Sequence, residues 1–457
     1  MPRRPDIDAA VEHIGRYAGR DEWVAHRREH LVTMLGPIPE HFGLDLEGVF
    51  DEVGRLGHLP TMVGFIDEAF LAAEHGPDRA NVTDDYLRRR GWQETPRGRE
   101  YLDAIRTTPP ALYEVRDVAW GEWIEVRDRQ LGGIPLRIVE HSGSQTLQRW
   151  DCFVARVVHP RDEIMLTGGV LPLTRKGADD VERLFKRAAG RGKKDLAALA
   201  GELGIDPAHF GDVKDAATQF ADRLYFHGWL KGLLDATRRP LPKLQNTDGD
   251  PLLPSSTRLP IADGAATEIA HRMDDLAGWE REGDEELQWT WKKAPDDPMS
   301  TVLGNARLTK DALVIDTNSR ERMDRALATL RPVLGALVGE GLTSHEDITH
   351  ALREPDSEQA SARDRRREPA PGMDAAAMAE AINRVKDAHY RRTLDEPVPM
   401  LGNLTPRECA RSKQGRRKLA NWIKEIENGE LRQAAGTEVA PYDISWIWRE
   451  FGVEDER

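Results

Sequence analysis

The chain has 457 residues, of which 39% are hydrophobic and 32% charged, and its formal net charge is −14. It lacks the roughly 18 consecutive apolar residues of a membrane span and the apolar segment of a signal peptide, and its two cysteines cannot form a disulfide framework. We therefore expect a cytoplasmic protein of several small domains, and the acidic balance disfavours binding of nucleic acid over the whole surface.

The first half of the chain divides into three regions by its hydrophobic pattern. Residues 1–108 are predicted to be helical, because apolar residues recur at spacings of three and four. Residues 109–176 contain five short β-branched or aromatic runs separated by turn residues, which predicts a small antiparallel β-barrel. The helical spacing returns over residues 177–239, which predicts a helical unit.

The second half alternates between structured regions and polar connections. Residues 240–262 are rich in proline, serine and aspartate and are predicted to be a linker, and residues 263–340 form a predicted α+β unit. Residues 353–372 are charged and almost free of apolar residues, which predicts disorder, and residues 373–457 form a predicted helical module. The predicted fold class is α+β and multi-domain, with helical modules flanking the small antiparallel β-barrel and the α+β unit.

One short pattern is compatible with zinc. His26 and His30 would lie one turn apart on a helix, and with Glu29 they match the HxxEH signature of inverted zincins. A metal-dependent hydrolase built on it would also need a distal carboxylate ligand. Arg27 and Arg28 are typical of a solvated helix, so we predict no metal site here and keep the hydrolase as a third hypothesis.

A second pattern is compatible with nucleic-acid binding. Residues 199–210 have the shape of a helix-turn-helix, although the predicted second helix has few side chains that could read base edges; an ordinary helical hairpin is the alternative. The preceding run, residues 183–194, has no acidic residue and could contact phosphates. Its six basic residues are Arg183, Lys186, Arg187, Arg191, Lys193 and Lys194.

Common catalytic signatures are missing from the sequence. It contains neither the glycine-rich phosphate loop that ends in lysine and serine or threonine, nor the GxSxG turn that carries a nucleophilic serine. We therefore expect no cofactor and favour a non-enzymatic protein.

The C-terminal module contains a proline-stiffened loop followed by a helix start. Thr405 is predicted to cap a helix that has Pro406 at its first position and Glu408 at its third, and Gly415 is predicted to end this helix. This segment resembles the toxin-binding domain of Xre/ParS-type antitoxins. The matching residues are Leu394, Pro397, Pro399, Leu401, Gly402, Thr405, Pro406 and Gly415.

The resemblance implies a protein partner for this loop, either a toxin or another effector such as a phage-defence protein. Asn403 stands where the antitoxins have a second glycine, and Arg407 stands where they have an apolar residue. The order of segments along the whole chain is similar to that of uncharacterised bacterial proteins that often end in a SEC-C zinc tail, which is missing here. We predict a binding or regulatory protein, with nucleic-acid binding as the alternative.

Overall fold

The computed structural model describes residues 4–188, 220–238, 244–282, 287–294, 300–346, 375–435 and 440–457. These residues form 16 α-helices and several antiparallel sheets, so the predicted α+β, multi-domain class is confirmed. The chain divides into two compact units, one from Met1–Ala236 with Ala370–Arg457 and the other from Thr237–Pro369. None of the described helices combines the length and apolar character needed to cross a bilayer.

The first unit begins with seven α-helices. Several of them start at a polar side chain that accepts a hydrogen bond from a backbone N–H of the first turn: Asp45 before α4, Asn81 before α6 and Thr95 before α7. The helices are α1 (Pro5–Ala18), α2 (Asp21–Leu35), α3 (Ile38–Phe42), α4 (Leu46–Arg55), α5 (Leu59–Ala72), α6 (Val82–Arg90) and α7 (Pro96–Thr107).

An antiparallel sheet follows, and the described residues up to 238 add three helices. The strands are β1 (Ala111–Ala119), β2 (Trp123–Asp128), β3 (Gly132–Val139), β4 (Cys152–Ala155), β5 (Val157–Val158), β6 (Met165–Leu166) and β7 (Leu171–Leu173). Five of them form one sheet in the order β3-β2-β1-β4-β7, while β5 and β6 form a separate pair. The helices are α8 (His141–Thr146), α9 (Arg175–Ala188) and α10 (Ala221–Arg238).

The predicted β-barrel is wrong, because this sheet is open: β3 and β7 are its two edges and do not pair with each other. Helices cover one face of the sheet instead. Leu112 and Val154 point into a core that contains Phe65 from α5 and Trp229 from α10. The alternate residues of the same strands, such as Phe153, form a second small core on the other face. Alternation of buried side chains thus fits a sheet buried on both faces as well as it fits a barrel.

In its described residues, the second unit consists of a six-stranded antiparallel sheet and two α-helices. Its strand order is β13-β8-β12-β11-β10-β9. The elements are β8 (Ser255–Pro260), α11 (Ala266–Asp274), β9 (Trp279–Arg281), β10 (Gln288–Lys292), β11 (Val302–Leu308), β12 (Ala312–Thr317), α12 (Arg320–Leu334) and β13 (Leu342–His345).

Strand β8 corrects the predicted linker over residues 240–262. It lies inside the sheet between β13 and β12, with Thr257 and Leu259 fully buried and Arg258 exposed between them. Pro251 and Pro254 precede the strand, whereas Ser255 and Ser256 are its first two residues and Pro260 is its last.

The C-terminal module returns to the first compact unit. Its helices are α13 (Ala375–Thr393), α14 (Pro406–Cys409), α15 (Lys413–Ala434) and α16 (Ser445–Phe451). The helix-turn-helix-like segment 199–210 and the segment 353–372, which was predicted to be disordered, lie outside the described residues.

Candidate functional site

The loop that resembles the antitoxin motif is built as a closed turn. Val398 and Leu404 form a backbone bridge, and the N–H of Asn403 also donates to the carbonyl of Val398 at 3.0 Å. Gly402 and Asn403 both have left-handed backbones, with φ of 78° and 60°. Asparagine tolerates this conformation better than most residues do, so Asn403 can replace the second glycine of the motif.

The end of the loop is fixed by the predicted cap. The Thr405 hydroxyl accepts a hydrogen bond from the N–H of Glu408 at 3.1 Å, and the Glu408 carboxylate accepts one from the N–H of Thr405 at 2.9 Å. This reciprocal pair is a capping box. The prediction for Gly415 is wrong, because α14 ends at Cys409 and Gly415 lies in the first turn of α15. A Cβ at Gly415 would stand 1.8 Å from the carbonyl oxygen of Cys409, so the site admits only glycine.

Of the eight residues that match the antitoxin motif, all except Gly415 are the predicted partner-binding residues, and these seven divide by burial. Leu394, Leu401 and Pro406 are buried and hold the loop against the module, and Thr405 caps α14. The remaining three, Pro397, Pro399 and Gly402, are exposed.

Two exposed apolar side chains of the loop were missed by the sequence reasoning. Met400 is 41% exposed and Leu404 is 45% exposed. We call Pro397, Pro399, Met400 and Leu404 the loop ridge. Met400 directly precedes the buried Leu401, and Leu404 directly precedes the cap residue Thr405, so the place of each residue beside a structural motif residue could have revealed them.

Arg407, where the antitoxins carry an apolar residue, makes two ion pairs beside the loop. Its guanidinium lies 3.0 Å from Asp395 at the start of the loop and 2.7 Å from Glu450 on α16. Arg407 therefore ties the loop to α16 by charge where the antitoxin motif would use an apolar contact.

The module is anchored to the first sheet by Trp150, which precedes β4. Trp150 is buried in the core of the C-terminal module although it belongs to the earlier part of the chain, and its φ is 76°. Its indole N–H donates to the Glu427 carboxylate at 3.0 Å, and the indole of Trp448 donates to the same carboxylate at 3.1 Å. The Lys424 ammonium lies 4.4 Å from the Trp150 ring centroid, a cation–π contact.

A buried ionic cluster lies beside this anchor. Glu114 on β1 accepts hydrogen bonds from Lys424 at 3.0 Å, from Arg175 at 2.8 Å and from Arg116 at 2.9 Å. Burial alone would raise the pKa of Glu114, but Lys424 and Arg175 outweigh it and lower that pKa to about 2. Burial lowers the pKa of Lys424, and the attraction of Glu114 opposes this change. The cluster thus joins β1, α9 and α15 through charges that depend on one another.

The described part of the basic run carries fewer free charges than its composition suggests. Arg183 and Lys186 on α9 form ion pairs with Asp180 and Glu182, one turn earlier on the same helix. Arg187 is exposed on the same helix, while Arg191, Lys193 and Lys194 lie outside the described residues. Nucleic-acid binding by this run stays a prediction.

His26 and His30 lie on α2 as expected, where they pack against His75 instead of a carboxylate. The ring centroids of His26 and His30 are 5.8 Å and 5.5 Å from that of His75, while Glu29 is exposed. Burial lowers the pKa of His30 to about 3. Within the described ranges, no group of three histidine, cysteine, aspartate or glutamate side chains could hold a metal ion.

Comparisons with known proteins assign no function to this chain, so the functional interpretation rests on the geometry of the site. No protein-family model matches this chain, and no curated protein matches it significantly. The loop ridge combines two observations: its segment resembles the antitoxin motif, and its apolar side chains are exposed on a fixed backbone.

Proposed function

We propose that this chain is a cytoplasmic, non-enzymatic binding protein whose C-terminal module engages a protein partner through the loop ridge. The observation that carries the proposal is the exposure of Met400 and Leu404 on a loop closed by a backbone bridge and a capping box. A loop whose backbone is already fixed loses little conformational entropy when a partner binds. More of the free energy gained by burying its apolar side chains therefore appears as affinity.

The chemistry of the ridge indicates what kind of partner would fit. Methionine and leucine fill apolar pockets, and methionine adapts to irregular ones. Arg407 and its acidic partners, Asp395 and Glu450, would form a polar rim beside them. By the resemblance to antitoxins, the partner would be a toxin or another effector with an apolar groove.

The test is quantitative capture of binding proteins by tagged full-length protein. The ridge variant is Met400→Ser with Leu404→Ser. Its matched control is Leu131→Ser, in the turn before β3, with Ile134→Ser on β3; both side chains are 88% exposed. We expect at least one captured protein to be retained by the control and lost by the ridge variant.

The affinity for that protein is then measured by calorimetry. Truncation of two apolar side chains that become buried in the complex is expected to weaken binding by roughly 2 kcal/mol or more. This corresponds to a loss of affinity of at least about thirtyfold. If the ridge variant retains every protein that the wild type and the control retain, with unchanged affinity, the proposal is wrong.

A further inference from the structure

An exposed tryptophan lies in an arginine-rich turn of the first unit. Trp92 is 73% exposed in the 3-10 turn Gly91–Gln93, which connects α6 to α7. Residues 86–99 contain five arginines and a single acidic residue, Glu94. An exposed tryptophan within an arginine-rich segment is a local departure from the acidic balance of a chain whose net charge is −14.

Glu94 does not neutralise the surface of this turn, because its side chain faces inward. It is buried, accepts a hydrogen bond from the Tyr86 hydroxyl, and lies 2.8 Å from Nδ1 of His13. On the other side of the turn, Thr95 caps α7 by accepting from the N–H of Gly98 at 3.0 Å. These contacts fix the backbone directly after Trp92. The turn therefore presents the indole to solvent.

The five arginines of this segment fall into two groups. Arg88 and Arg89 pair with Asp85, and Arg97 pairs with Asp6 and Glu163. The other two, Arg90 and Arg99, are exposed on either side of the turn.

Arg90 and Arg99 are the two arginines that a ligand could use. Within the described part of the chain, neither side chain makes an ion pair or a hydrogen bond. The Arg99 stem lies beside the turn, since a Cβ at Gly91 would lie 3.8 Å from its Cδ. Arg90 directly precedes Gly91 in the chain, so both arginines lie next to the turn that carries Trp92.

We propose that Trp92, Arg90 and Arg99 bind single-stranded nucleic acid. The indole offers a face on which a base can stack, and the two guanidinium groups can each hold a backbone phosphate through paired hydrogen bonds. An anionic membrane surface would also attract arginine and tryptophan, but it requires several apolar side chains to enter the lipid. Trp92 is the single large apolar side chain exposed between residues 82 and 107, all of which the structure describes.

The experiment measures fluorescence anisotropy of labelled oligothymidylate and oligouridylate of about 15 nucleotides, a length within the usual site sizes, on the full chain. Trp92→Ala is expected to weaken binding roughly tenfold, the effect of losing one stacked base. Arg90→Glu with Arg99→Glu is expected to reduce the slope of log affinity against log salt by about 1.4, the value for two lost phosphate contacts on a single strand. Comparison of the two oligonucleotides distinguishes DNA from RNA as the source of the ligand.

Two matched variants separate the patch from general effects of exposure and charge. Trp120→Ala removes an equally exposed tryptophan, at 74%, from the turn between β1 and β2. Arg320→Glu with Arg331→Glu makes the same change in net charge at two exposed residues of α12. Both are expected to bind as the wild type does, and circular dichroism checks that every variant is folded.

Several results would overturn the proposal. They are undetectable binding at about 50 mM salt, equal loss of affinity in Trp92→Ala and Trp120→Ala, or loss that follows neutralisation of Arg191, Lys193 and Lys194 instead. Sedimentation with phosphatidylserine vesicles that depends on Trp92, without oligonucleotide binding, would assign the patch to a membrane surface.

Discussion

His30, which packs in a histidine cluster with His26 and His75, predicts that the first unit loses stability in mild acid. His30 is largely buried, its Nε2 has no hydrogen-bond partner within the described residues, and its ring packs against Phe70 and His75. Burial, then the nearby His75 and Arg223, lower the pKa of His30 from 6.5 to about 3. The unfolded chain therefore binds a proton on this imidazole at pH values where the folded chain does not.

The size of the effect follows from this difference in pKa. Stability falls as the pH drops through the unfolded value near 6.5, because protons then favour the unfolded state. Between the unfolded pKa near 6.5 and roughly pH 5, a span of about 1.5 pH units, the imidazole is protonated in the unfolded chain and neutral in the folded one. At about 1.4 kcal/mol per unit, His30 alone lowers the free energy of unfolding by about 2 kcal/mol relative to neutral pH.

The assay is urea unfolding near pH 7.5 and pH 5, together with NMR titration of the histidine rings. His30→Leu has a similar volume and cannot be protonated, so it should remove about 2 kcal/mol of the acid-induced loss. His271→Leu, at an exposed position of the second unit, is the control and should leave the acid-induced loss unchanged. If His30 titrates near 6.5, or if His30→Leu loses as much stability in acid as the wild type, the explanation fails.

Three further predictions concern the C-terminal module. Lys424→Met should lower the free energy of unfolding in urea by roughly 3 kcal/mol, because it leaves the buried Glu114 carboxylate with fewer cations. In a double-mutant cycle, adding Glu114→Gln should recover part of this loss. Gly402→Ala should lower stability by about 1 kcal/mol, since the φ of Gly402 is 78°. Gly429→Ala on α15 should raise stability by about 0.5 kcal/mol, because a Cβ there would meet no atom within 4 Å. Thermal unfolding of both variants tests this contrast. Trp150→Ala should cost about 3 kcal/mol and increase hydrogen exchange in α15, and unchanged exchange there would contradict its role as an anchor.

The sequence by itself determined the features that depend on local backbone chemistry. The helical spacing and the Thr405 capping box follow from residue types a few positions apart, and the structure contains the capping box as predicted. The α+β class was likewise predictable, because helix and strand periods differ within single segments.

Tertiary structure decided what those elements pack against. Sheet closure depends on whether the edge strands meet, which no local pattern encodes, so the predicted barrel is an open sheet covered by helices. In the same way, Glu114, Trp150 and Lys424 come together over some 310 residues of chain, and only the fold shows that they share a buried cluster. The exposure of Met400 and Trp92 is also tertiary, since an apolar residue is exposed or buried according to what covers it.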